Sequence, residues 1–146
     1  MIENGCKTEK THSFSYINVY LFKHDIGHAA GEGGGYIVSG ERYAPDVAFI
    51  SYEKQPELAK SGYNPNPPDL AVEVISSDSK AENERMTIKL SNYLAAGIVV
   101  WVVRPEKKMI EVHQPNTPVR MVHENNTLDG GDVLPSLAIK VSDIFK

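Results

Sequence analysis

The stretch Leu70-Ala71-Val72-Glu73-Val74-Ile75-Ser76 decides the fold. Its aliphatic and β-branched run predicts a strand buried on both faces. Ser79-Lys80-Ala81-Glu82 follows with the spacing of a capping box, and predicts a helix that runs to about Ala96 and stops at Gly97. Met86, Leu90, Tyr93 and Leu94 fall within one stripe of that helix, with Lys89 on its flank. A second apolar strand, residues 98–103, ends at Arg104-Pro105. Strand, helix and strand in this order predict an α/β or α+β sheet with at least one parallel pair.

Outward from that unit the signals are shorter. Residues 13–24 carry Phe14, Ile17 and Tyr20 or Leu21 at a helical spacing, with Gly27 as a stop. Residues 28–30 and 35–38 predict two short strands around a Gly33-Gly34 turn, and residues 45–51 a further strand. Pro56, Pro65, Pro67 and Pro68 make residues 55–68 a loop. Residues 109–113 alternate like a half-exposed strand that 119–122 can pair with, and 137–145 pack last. There is no repeat and no low-complexity run. The division expected is a polar tail over 1–13 and a single domain over 14–146.

Composition narrows the function classes. With 146 residues, 41% hydrophobic and 23% charged, the chain suits one globular domain with a real core. No apolar run approaches the ~20 residues of a membrane helix. Cys6 is the only cysteine, so no intrachain disulfide forms and a cytoplasmic location is expected. The net charge of −4 gives no global attraction to nucleic acid, so a DNA contact needs a local basic patch or a metal ion.

Glu73 stands out because an ionised carboxylate in a buried strand costs several kcal/mol unless a cation offsets it. Asp46 opens the preceding strong strand directly after Pro45. Two carboxylates on neighbouring strands can share a hard divalent cation such as Mg2+, and the carbonyl of Val74 can add a third oxygen. Water completes such a shell and becomes a better nucleophile there near neutral pH. Lys89 could orient that water or stabilise charge on an attacked phosphate. The structural alternative is that Asp46 caps a turn, Glu73 pairs with a lysine, and nothing reacts.

Ala44-Pro45-Asp46-Val47-Ala48-Phe49-Ile50, followed by Pro67-Pro68-Asp69-Leu70-Ala71-Val72-Glu73-Val74-Ile75-Ser76, resembles the PD-(D/E)XK nuclease superfamily. More narrowly it resembles the Uma-type family of restriction-like endonucleases. Lys89-Leu90-Ser91-Asn92-Tyr93-Leu94-Ala95-Ala96-Gly97, Val100-Trp101-Val102-Val103 and Thr127-Leu128-Asp129-Gly130-Gly131-Asp132-Val133-Leu134-Pro135 carry the same resemblance, over about residues 14–146. It implies a restriction endonuclease-like mixed sheet flanked by helices. It also implies hydrolysis of DNA phosphodiesters with Mg2+ or Mn2+, Asp46 being the first metal ligand and Glu73 the second.

Two departures qualify the resemblance. The superfamily lysine follows the acid by two residues, where this chain has Ile75; in Uma-type members it has moved to the following helix, and Lys89 occupies that place. The family also carries an N-terminal section with a further acid, and the chain as read starts too late to contain it. Glu32 is the candidate substitute. A shortened sheet edge invites pairing with a second copy, so a homodimer is expected, as the resemblance also implies. A catalytically degenerate member, keeping the fold as an interaction or DNA-binding module, is the competing expectation.

Other features carry less. The five histidines show no metal-ligand spacing. Gly31 to Gly35 lacks a following Lys-Ser/Thr, so a hairpin turn is expected there rather than a phosphate loop. Asp129-Gly130-Gly131-Asp132 reads as a turn, Trp101 as core, and Asp69 as a turn residue. Lys80, Arg85, Lys107 and Lys108 read as solvated charges unless the fold gathers them beside Asp46.

Overall fold

In the computed structural model, which describes residues 6–146, the central unit is strand β5 (Leu70–Val74), helix α2 (Lys80–Ala95) and strand β6 (Val99–Arg104). Before it come helix α1 (Lys7–Lys23) and strands β1 (Gly27–Ala30), β2 (Tyr36–Val38), β3 (Glu41–Tyr43) and β4 (Val47–Ser51). After it come β7 (Met109–His113), β8 (Arg120–His123), β9 (Thr127–Asp129), β10 (Ala138–Lys140) and the short helix α3 (Val141–Phe145). The main sheet has six strands in the order β1-β4-β5-β6-β7-β8. β5 and β6 are parallel, as the crossover through α2 requires, and every other neighbouring pair is antiparallel. This is the mixed sheet flanked by helices that the sequence predicts.

Alternation along the strands divides the core into two layers. Val47, Phe49, Leu70, Val72, Trp101 and Val103 face α1, with Ile17 and Tyr20, and α3, with Val141 and Ile144. Ala48, Ile50, Ala71, Ile75, Val100 and Val102 face Met86 and Tyr93 of α2. Glu73 belongs by parity to the α2 layer and is 6% exposed. Each large side chain buried in these layers contributes about 1.5–3 kcal/mol.

The limits of α2 follow from its end residues. Ser79 is extended and its hydroxyl accepts from the Glu82 backbone N–H at 3.1 Å. At the other end Gly97 takes φ +86°, and the Ile98 N–H returns to the Tyr93 carbonyl at 3.1 Å.

Three expectations are corrected. α1 begins at Lys7, so residues 7–13 are helix rather than polar tail; residues 1–5 of that tail lie outside the described residues. The buried face of α1 contains Glu9 and Ser13 beside Ile17 and Tyr20, and these polar residues hide its period in the sequence. The hairpin expected around Gly33-Gly34 does not form: β1 pairs with β4, and β2 pairs with β3. The hairpin turn is Ser39-Gly40, with φ of 51° and 81° between the paired Val38 and Glu41, the geometry of a type I′ turn. Lastly, regular pairing of β5 stops at Val74, two residues short of the expected end, although the Ile75 N–H still reaches the Val103 carbonyl at 3.0 Å.

Candidate active site

Asp46 sits immediately before β4, and Glu73 and Val74 close β5. The backbone N–H of Val74 donates to Asp46 Oδ2 at 2.7 Å, tying the strand ends together beyond their last ladder pair, Val47 with Val72. A residue in a strand presents its N–H and C=O along the same edge, so the Val74 carbonyl lies on the edge that faces Asp46. Asp46 Oδ1 is left for a cation, and Lys10 Nζ of α1 sits 3.4 Å from it.

Glu73 is held at both oxygens from α2. Lys89 Nζ lies 3.3 Å from Oε1, and the Tyr93 hydroxyl donates to Oε2 at 2.8 Å. Lys89 and Tyr93 are one turn apart, so a single face of α2 supplies both. Burial pushes the Glu73 carboxyl up to about 7; Lys89 opposes that shift and Asp46 adds to it. Burial and then the Glu73 charge raise the Tyr93 phenol far above its ordinary value, so it stays a donor. The Tyr43 ring packs edge-on against Tyr93 at 5.1 Å and fixes its plane.

One cleft of about 340 Å³ is walled by Cys6 just before α1 and Lys10 within it, by Asp46, Glu73, Val74, Ile75 and Ser76, and by Glu82, Arg85, Met86 and Lys89 of α2. Arg85, expected to be solvated unless gathered beside Asp46, is in the wall, paired with Glu82 at 3.2 Å. Ile75 packs in the α2 layer. Glu32 approaches the site through Lys10, which it contacts at 3.1 Å. The Glu32 and Asp46 oxygens are therefore at most about 6.5 Å apart, the two lysine contacts taken end to end. A second cavity, about 160 Å³, lies beside Trp101, where Arg120 and Asp129 are largely exposed and paired with each other at 3.1 Å.

The donor set suits a small hard cation. Asp46, Glu73 and the Val74 carbonyl offer oxygen only, which fits Mg2+ or Mn2+ and not a soft metal. Among the described residues no group of three or more His, Cys, Asp or Glu side chains is arranged to hold a metal. Mg2+ tolerates that, because it keeps several waters and is often bound by one or two carboxylates and a substrate phosphate.

The sequence matches the family described as "Uma2: Putative restriction endonuclease" over residues 11–142. The chain belongs to the Uma2 family. A crystal structure described as "a putative nuclease belonging to DUF820" from Anabaena variabilis ATCC 29413 has the same fold, with a TM-score of 0.80 at 17% identity. That likeness covers 97% of this chain and 80% of the other. No curated protein sequence matches.

Two polar groups that contact the acids of this Uma2 cleft, Tyr93 and Lys10, are not legible in the sequence. Tyr93 reads as core because it falls in the apolar stripe of α2, and it is core, yet its hydroxyl holds Glu73. Lys10 lies in the segment read as a tail. Glu9, next to Lys10, is 7% exposed, and its Oε1 has no hydrogen-bond partner among the described residues. Asp69 is structural: its Oδ2 accepts from the Ser51 N–H at 2.7 Å. No helix among the described residues is long and apolar enough to cross a membrane.

Proposed function

We propose that the protein is a metal-dependent endodeoxyribonuclease that hydrolyses DNA phosphodiester bonds with Mg2+ or Mn2+. The observation that carries this reading is the convergence of Asp46, Glu73 and Lys89 on one cleft, with Lys89 3.3 Å from Glu73. Membership of the Uma2 family supports it.

Asp46 Oδ1, one Glu73 oxygen and the Val74 carbonyl would hold the ion. Such an ion would supply charge neutralisation at the attacked phosphate and would lower the pKa of a water there. Val74 keeps Asp46 oriented through Oδ2, and Tyr93 keeps Glu73 oriented. The Lys89 ammonium has three donors and swings from Glu73 to the phosphate, where it stabilises the growing negative charge. Met86 and Ile75 form the apolar wall behind these groups.

A degenerate member acting only as a binding module remains the second reading, and one observation favours it. Lys10, Lys89 and Arg85 are paired with Asp46, Glu73 and Glu82 within the cleft, so the site is self-neutralised as it stands. Nicking of supercoiled plasmid in Mg2+ or Mn2+ separates the two. Wild-type protein is expected to nick, chelator to stop it, and Glu73→Ala and Lys89→Ala to lower the rate at least about a hundredfold, the scale of losing one charge-stabilising group. Nicking that persists undiminished in Glu73→Ala defeats the assignment.

We also infer a homodimer. β1 is an edge of the six-stranded sheet, and the neighbouring C-terminal turns of α1 expose Phe22 by 83% and Val19 by 55%. An open edge beside exposed apolar side chains favours pairing with a second copy.

A further inference from the structure

Lys10 has no role in the scheme above, yet it sits on the oxygen that scheme needs. Asp46 Oδ2 is committed to the Val74 N–H at 2.7 Å, so Oδ1 is the one open to a cation, and Lys10 Nζ is 3.4 Å from it. The same ammonium is anchored by Glu32 Oε2 at 3.1 Å. The Lys10 side chain is 25% exposed and the Glu32 side chain 65%, so the pair stands at the open rim of the cleft.

The charges of the cleft add a second observation. Its wall holds three acids, Asp46, Glu73 and Glu82, and three bases, Lys10, Arg85 and Lys89. With all six ionised they cancel, so the cleft without a divalent ion then has no net attraction for a phosphodiester. A divalent ion on Asp46 and Glu73 adds two positive charges to that balance, and the Glu32 carboxylate on Lys10 offsets one of them. Lys10 then loses its hold on Asp46 Oδ1 and keeps Glu32, with donors to spare.

We propose that Lys10 is a phosphate-binding residue of this site, released from Asp46 when the divalent ion binds and held over the cleft by Glu32 to take a non-bridging oxygen of the DNA backbone. Metal binding and DNA binding are thereby coupled through one side chain. Glu32, the candidate from the sequence for the family's further acid, serves instead as the anchor of Lys10. The inference rests on the metal-dependent reading above.

The test measures two affinities on the full chain. Mn2+ binding is followed by calorimetry, and binding of a short fluorescent DNA duplex by anisotropy in Ca2+, with intact DNA verified on a gel. Lys10→Gln removes a competitor for Asp46, so Mn2+ is expected to bind more tightly, by about twofold to fivefold, the scale of one partly exposed ion pair. DNA is expected to bind more weakly by a similar factor, and the slope of log affinity against log salt to flatten by about 0.9, the value for one lost phosphate contact. Lys10→Arg is expected to keep the wild-type DNA affinity and slope. A merely structural lysine would not move the two affinities in opposite directions. Mn2+ affinity that is unchanged or weaker in Lys10→Gln, or an unchanged salt slope, overturns the proposal alone. Wild-type protein that binds no Mn2+ overturns the metal-dependent reading and this inference together.

Discussion

Glu73 is gripped at both oxygens, and only one of the two grips is visible in the sequence. A carboxylate among Val72, Val74 and Ile75 announces itself because burial penalises charge. Lys89, on the flank of its helix, is the kind of cation that reading requires. Tyr93 gives no such signal: a tyrosine in an apolar stripe packs like its neighbours, and only the register of α2 over β5 reveals what its hydroxyl meets. Lys10 is hidden for a different reason, since the first turns of α1 bury Glu9 and Ser13 and lack an apolar period. Tyr93→Phe leaves the ring in place but strands Glu73 Oε2. It is expected to slow nicking about 10- to 100-fold, as loss of a ligand-orienting hydrogen bond does. Urea denaturation is expected to show only about 1–2 kcal/mol of lost stability. A rate equal to wild type would mean that Tyr93 does not position Glu73.

At the scale of elements, β5, α2 and β6 are legible because apolar runs, a capping box and a glycine stop agree with one another. The β1–β4 pairing is not, because four residues containing two alanines leave partner choice to the tertiary fold. The seating of α2 on the sheet depends on its start. Arg104, at the end of β6, donates to Glu111 at 2.6 Å and to Asn83 at 3.0 Å, and lies 3.4 Å from Asp78, which joins the sheet to the first turn of α2. Ser79→Ala removes the cap and is expected to cost about 1 kcal/mol by urea denaturation.

Glu111 carries a pH signature at the same scale. Its hydrogen bond from His113, and then the Arg104 guanidinium, hold its carboxyl below the ordinary 4.5. A carboxyl depressed in the folded state contributes stability above its unfolded pKa and loses it as pH falls through the folded value. Glu111→Gln is therefore expected to be less stable than wild type by about 1–2 kcal/mol at pH 7, the scale of a charge-assisted hydrogen bond. The gap is expected to close as the pH drops below 4.5. A gap that stays constant down to pH 3 would mean that the charge of Glu111 contributes nothing.

For the whole molecule, the sheet has two ends, and they differ. β8 exposes Arg120, a charge that discourages edge pairing, beside Met121 at 46%, whereas β1 is bordered by Val19 and by Phe22, which is 83% exposed. Sedimentation at micromolar concentration is expected to show a dimer, and Phe22→Glu to shift it toward monomer. A stable wild-type monomer would contradict that assignment. The order of the strands themselves was legible only at the centre, where a helical crossover forces the parallel β5–β6 pair. The outer strands are short, and their partners are set by packing that local sequence does not encode.

The strand ends at that centre bring Asp46, Val74 and Glu73 to one place, where a divalent ion would be held. Anomalous diffraction from crystals soaked in Mn2+ measures this directly. The expected result is a single peak within about 2.0–2.6 Å of Asp46 Oδ1 and a Glu73 oxygen, with Lys10 and Lys89 displaced from those carboxylates. Lys10 and Lys89 still seated on Asp46 and Glu73, with no peak between them, would contradict it.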